Sequence, residues 1–483
     1  MRCRGKPSIG KSSILRGNSA PERVKCGKFR GNASSGEFLK QRNFIHGSQS
    51  VINSLLQRLV IMGLCASLTT ALLAEDWPQW RGVDRDGVWH VDGLVDELPD
   101  GQMPLEWSVP IGPGYSGPTV ADGRVYVSDR QAEGGKQSER ILCFDSASGK
   151  SLWTVEYEAP YSISYSAGPR TSVTIDDNRA YSVGAMGHFY CLDARTGEVI
   201  WKRDLNTEYS IEMPVWGIAA SPLIYDDLVI QQVAGENGAC MVAFEKATGK
   251  EVWKALDERA AYASPIIIKQ AGKDVLVCWT GESLSGLDPV SGKVYWSHPM
   301  LPVQMPIGIA TPSVDGDLVY VSSFYDGSLM VRATQDALSS EVVWRAIGRD
   351  EKNTEALHSM IGTPIVQDGY IYGFDSYGEM RCLEATTGKR IWEDLTAVPK
   401  ARWSMAHMVR QDDRVWMFNE RGELLITKIS PQGLTIVDRA QLIEPTLVQL
   451  RQRGGVCWSH PAFAEKSIFV RNDEKLVKAS LAK

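Results

Sequence analysis

Five segments of eleven residues align without a gap: CFDSASGKSLW (143–153), CLDARTGEVIW (191–201), AFEKATGKEVW (243–253), GLDPVSGKVYW (286–296) and CLEATTGKRIW (382–392). Each opens on a small residue and has Asp or Glu at the third position. Ser or Thr followed by Gly stands at the sixth and seventh, and Trp closes the segment. A sixth copy (332–344) keeps Trp344 but has lost the Gly and gained residues, and a seventh, KISPQGLTIVD (428–438), has lost the Trp. Trp107, Trp153, Trp201, Trp253, Trp296, Trp344 and Trp392 follow one another at steps of 46, 48, 52, 43, 48 and 48 residues. Such a period means an array of supersecondary units, each too small to bury its apolar face alone.

Each unit reads as four short strands. In the fifth, TPSV (311–314) opens the first strand and Asp315-Gly316 turns. DLVYVSSF is the second, Asp326-Gly327 turns again, SLMVRA is the third and EVVWRA the fourth. Alternating β-branched and aromatic residues between D-G turns are a hairpin signal. No window offers an amphipathic helix of more than three turns. Four antiparallel strands per repeat, arranged radially, make an all-β propeller. Outer strands fall at the seven Trp positions and near Val437; inner strands start at Pro118, Thr171, Pro222, Pro265, Pro312, Pro364, His407 and Pro461. Both counts predict eight four-stranded antiparallel blades. The last blade runs out before its fourth strand, which the N-terminal strand around Leu105–Val109 supplies, so the ring closes without an open edge. Seven blades follow instead if the Trp-less copy is an excursion.

The eleven-residue pattern resembles the tryptophan-docking motif of the PQQ-like (quinoprotein-type) β-propeller repeat family, secreted proteins of the BamB-like fold group. DWPQWRGVDRDG (76–87) is similar to the opening segment of secreted members, and the resemblance covers 105–483. It implies that Trp107, Trp153, Trp201, Trp253, Trp296, Trp344 and Trp392 pack between blades. Each would rest on the small first residue and the Gly peptide of a neighbouring motif. Cys143, Cys191 and Cys382 occupy that first position and read as small buried hydrophobes. With no CxxC spacing, a structural zinc site is not expected, nor are disulfides.

The formal net charge of −6 conceals an asymmetry. Residues 1–74 hold 12 Lys+Arg and 2 Asp+Glu, leaving 40 basic and 56 acidic residues in 75–483. Such an acidic body excludes nucleic-acid binding through a broad basic surface. Leu59–Ala74 (LVIMGLCASLTTALLA) is uncharged, follows Arg58 and precedes Glu75-Asp76. This is the layout of a secretory signal cleaved after Ala74; an uncleaved N-terminal anchor is the alternative. The expected organisation is a basic leader and signal over 1–74, an N-terminal arm over 75–104 and the propeller over 105–483. The mature chain is expected to be exported, periplasmic or extracellular, monomeric and without an integral membrane span.

Propellers bind ligands at the channel mouth, on the loops entering the innermost strands. Those loops read GYSGP (114–118), SYSAGPR (164–170), VWGIAASP (215–222), AYASP (261–265), PIGIATP (306–312), LHSMIGTP (357–364), RWSMAH (402–407) and VCWSHP (456–461). Tyr115, Trp216, Tyr262, His358, Trp403 and Trp458 recur at a similar offset, with Arg170, His407 and His460 nearby. These nine residues are expected to converge on a central funnel suited to a planar or sugar-like ligand or a peptide strand. Packing alone is the alternative. Catalytic signatures are absent: there is no G-x-S-x-G, H-E-x-x-H or Walker loop. Glu212, Glu258 and Glu282 read as solvated loop carboxylates. Quinoprotein dehydrogenases of the family would imply a vicinal Cys-Cys disulfide, a Glu/Asn/Asp set on Ca²⁺ and an Asp base. None can be matched here. The expectation is therefore a non-catalytic scaffold, without cofactor or metal, that binds a polypeptide or envelope component. The alternative is a dehydrogenase holding PQQ with calcium in the funnel.

Overall fold

The hairpin signals become eight sheets of four antiparallel strands, seven of them with their strands in chain order. The computed structural model describes residues 76–483, so the leader and the cleavage position after Ala74 lie outside the described residues. Blades 1 to 7 start at Thr119, Thr174, Leu223, Ile266, Ser313, Ile365 and Ala406. Blade 8 combines Ala462–Ala464, Ser467–Arg471 and Lys475–Ser480 with the N-terminal strand Trp107–Pro110. Trp107 lies opposite Lys478 and Pro110 opposite Lys475, so the ring closes as expected. One short helix, Leu205–Tyr209, interrupts the β structure.

A register shift marks the third-to-fourth strand pairing of each of the first seven blades. In blade 1, Cys143 faces Trp153 and Phe144 faces Ser151, leaving Leu152 unpaired. Such a bulge bends the outer strand locally, and the Trp side chain is aimed at the next blade. There the indole N–H donates to a turn carbonyl: Trp107 to Ser146 (2.9 Å), Trp153 to Ala194 (3.0 Å) and Trp201 to Lys246 (2.9 Å). Trp253, Trp344 and Trp392 do the same with Pro289, Ala385 and Ser430. The motif glycine makes room, since a Cβ on Gly249 would sit 2.7 Å from the Trp201 ring. One detail differs from the expectation. The small first residue belongs to the Trp's own blade, as in the cross-strand pairs Cys143–Trp153 and Cys191–Trp201. Only the glycine turn comes from the neighbour. Cys143, Cys191, Cys240, Cys278, Cys382 and Cys457 are all buried.

The missing Trp of the seventh copy has a structural reason. Its place is taken by Asp438, in the bulge of blade 7. The neighbouring blade 8 is assembled from both ends of the described chain, so no turn joins its third and fourth strands and no glycine turn awaits an indole. The arm covers this flank instead: Leu98 N–H donates to the Asp438 carboxylate (2.7 Å), and Gln102 bridges to Gln441.

The beginning of the arm crosses the channel. Trp77 pairs with Val120 of blade 1, Ile175 of blade 2 donates to Pro78 C=O, and Val88 bridges to Arg410 of blade 7. The buried Arg85 guanidinium donates to Pro222 C=O, Ser221 C=O (3.4 Å) and Pro265 C=O (3.0 Å) at the inner ends of blades 3 and 4. Burial without a carboxylate partner lowers the pKa of Arg85 to about 9. Its hydrogen bonds to carbonyls and to Gln79 Oε1 (2.8 Å) are what make that burial tolerable.

An aromatic cup at the channel mouth

The innermost strands begin at one end of the channel, so residues a fixed distance before them share a radius. Seven of the nine expected residues, Tyr115, Arg170, Trp216, Tyr262, Trp403, Trp458 and His460, line one cavity of about 130 Å³. Its wall is a chain of aromatic contacts. Tyr262 lies 5.1 Å from Trp216, Trp216 meets Tyr165 edge-on (5.9 Å, 90°), Tyr165 meets Trp403 (6.2 Å, 72°) and Trp403 meets Trp458 (6.3 Å, 66°). Edge-to-face contacts of this kind hold ring positions beyond what area burial gives.

Hydrogen bonds behind the rings fix them. Tyr115 Oη donates to Gln449 C=O (3.0 Å), and Gln449 Oε1 accepts from Trp458 N–H (2.8 Å). Tyr262 Oη accepts from Trp216 N–H (3.3 Å), and burial pushes the Tyr262 pKa up to about 12, so the phenol stays neutral. Arg170 is committed to structure. Its guanidinium donates to Gly168, Ser164 (3.1 Å) and Tyr165 (2.6 Å) carbonyls and lies 5.0 Å over the Tyr115 ring. Arg402 covers the Trp403 ring at 4.4 Å and is paired with Glu351 (2.6 Å).

His460 lines the cup beside Trp80 (4.8 Å) and is buried. Pro461 C=O can only accept, so the 2.6 Å contact makes Nδ1 the donor and leaves Nε2 as a lone-pair acceptor. That Nε2 has no partner. Burial, then the proximity of His407, holds the His460 pKa well below the ordinary histidine value. The remaining two residues stand behind the wall. His407 lies 4.8 Å from His460 and donates from Nε2 to Trp458 C=O (2.9 Å). His358 is saturated: Nδ1 donates to Phe324 C=O (2.9 Å) and Nε2 accepts from Gly348 N–H (3.0 Å).

Sequence reasoning missed Trp80, Tyr165, Ile309, Met360 and Ile361, which also line the cup. Trp80 stood in the WPQWRG segment, whose path through the channel is a tertiary fact; its Nε1 donates to Thr311 Oγ1 (2.8 Å). Tyr165 was visible in SYSAGPR, but lies further from its strand than the other aromatics.

The family described as outer membrane protein assembly factor BamB matches residues 137–394 and 300–478. The chain belongs to that family. BamB of Moranella endobia is 25% identical over 311 residues, 59% of this chain and 70% of that protein. A quinone-dependent 1-butanol dehydrogenase of Thauera butanivorans is 26% identical over 148 residues, 28% of this chain and only 23% of the dehydrogenase. Among solved structures, BamB from Moraxella catarrhalis superposes with a TM-score of 0.53 at 16% identity, covering 78% of this chain and 99% of that one. A europium-containing methanol dehydrogenase gives 0.58 at 12%, covering 84% and 91%. At these identities the structures speak for the fold. No helix among the described residues is long and apolar enough to cross a membrane.

Proposed function

We propose that this protein is an exported, non-catalytic propeller that binds a polypeptide or envelope component through the loop face around the cup. The composition of the lining carries this reading. It contains no carboxylate and no carboxamide, and its one guanidinium is taken up by backbone carbonyls. Hard cations need several oxygen ligands, and among the described residues no group of three or more His, Cys, Asp or Glu stands ready for a metal. A calcium-bound quinone with three carboxylates finds neither calcium ligands nor free cations here, and no carboxylate is placed to remove a substrate proton. The dehydrogenase relatives motivate the alternative reading, but these residues do not fit its cofactor.

Titration of the purified protein with PQQ and CaCl₂ tests the proposal, following quinone absorbance and dye reduction with alcohols and sugars. Neither binding nor turnover is expected. Stoichiometric quinone binding with dye reduction would overturn the scaffold reading.

A further inference from the structure

The cup is sized for a single ring. An apolar cavity of about 150 Å³ in another protein holds benzene and stays dry otherwise, and this one measures about 130 Å³. Three fused rings exceed it. Its wall offers ring faces and edges, with very few polar atoms for the many hydroxyls of a pyranose. The two unpartnered polar atoms of its wall, His460 Nε2 and Trp403 Nε1, are themselves buried, so the cup presents chiefly ring surfaces.

Beside the cup, and sharing Tyr262 as the dividing wall, lies a second cleft of about 430 Å³. Glu212, Glu236, Asp257, Glu258 and Glu282 face it against one cation, Arg259. Arg259 is already bound to Glu282 (2.7 Å), and Glu258 accepts from Ser283 Oγ. Glu212 and Glu236 are exposed. The loops that carry the cup also present apolar side chains to solvent: Val215 next to Trp216, Leu301 and Val303 next to Met305, and Leu447 and Val448 next to Gln449. Each is more than half exposed. A ring-sized aromatic pocket, an adjacent acidic cleft and an apolar rim are the three parts of a surface that anchors one aromatic residue in a basic segment.

We infer that the cup captures one aromatic side chain of a partner polypeptide, with flanking Lys or Arg residues lying in the acidic cleft across Tyr262. The inference rests on the binding role proposed above. The anchor's ring stacks within the Trp216–Tyr165–Trp403 wall.

Calorimetric titration of the purified protein with short acetylated peptides tests this. The peptides carry one tyrosine flanked by lysines, or the same sequence with Phe, Ala or acidic flanks. Changing the tyrosine to Ala, or the lysines to Glu, is expected to weaken binding at least about tenfold. Trp216→Ala should do the same. The exposed pair E212Q and E236Q keeps the fold and should weaken the lysine-flanked peptide several-fold, most at low salt. Binding with no preference for the aromatic or the basic flanks would overturn the inference, as would binding of N-acetylglucosamine disaccharide that depends on Trp216. Neither result produces quinone turnover, so the scaffold reading is judged separately.

Discussion

Trp296 Nε1 donates to the side-chain oxygen of Gln270 at 3.0 Å, whereas every other motif Trp donates to a backbone carbonyl. The next copy is the one without its glycine, so no tight turn approaches this indole. Gln270 bridges the gap, its Nε2 donating to Ser339 C=O (2.6 Å) and Ala337 C=O (3.3 Å) of blade 5. Gln270→Ala therefore strands a buried indole N–H, while the Ser339 and Ala337 carbonyls keep their bonds from Thr334. A loss of about 2 kcal/mol is expected, read as a lower denaturation midpoint. An unchanged midpoint would mean water replaces the amide.

Trp201 is buried, meets Phe189 edge-on at 5.1 Å and bonds to Lys246 C=O. Trp201→Ala should cost roughly 3–5 kcal/mol. Gly249→Ala attacks the same joint from the other blade. The residue has φ +69°, and its Cβ would meet the indole, so about 2–4 kcal/mol should be lost. Because both changes open one contact, the double variant should lose less than the two singles together. Full additivity in thermal denaturation would argue against docking between blades.

Stability should fall on mild acidification. Burial first, opposed by the bond to Trp458 C=O, lowers the His407 pKa from 6.5 to about 4. The unfolded chain then binds the proton more readily than the folded one. The contribution is fully present above pH 6.5 and is lost as pH falls toward 4. Between pH 7 and 5 the loss from His407 is about 2 kcal/mol, and His460 acts in the same direction. His407→Gln should flatten the profile of thermal midpoint against pH in that window. An identical slope in the variant would rule out this source.

Arg85 ties the arm to the inner ends of blades 3 and 4. Arg85→Ala removes this donor from the Ser221 and Pro265 carbonyls, while Pro222 C=O keeps Thr174 Oγ1 (2.8 Å), and should cost about 2 kcal/mol. Hydrogen exchange at residues 77–89 should accelerate more than in the blades. Uniform protection across the chain would show that the arm is held by Trp77 and Trp89 alone.

The periodic parts of this protein were legible in its sequence because they are local. A Trp every 43 to 52 residues and a glycine four residues before it specify a bulged outer strand and a turn it can reach. The seven Trp positions, with the Trp-less outer strand near Val437 and eight inner-strand starts, give the eight blades that the fold has. The repeated aromatic offset likewise determines a shared radius for Tyr115, Trp216, Tyr262, Trp403 and Trp458. His358 stands six residues before Pro364, as Trp216 does before Pro222, rather than the three of Tyr115, Tyr262 and Trp458. The fold turns it to Phe324 and Gly348 and brings Met360 and Ile361 to the cup, because loop length and backbone path decide where a side chain points. The course of residues 77–89 through the channel follows no period, so Trp80 and Arg85 became visible only in three dimensions. The absent Trp of the seventh copy reads as decay in the sequence. Only ring closure, which leaves blade 8 without a turn beside Asp438, shows that there was nothing for an indole to bind.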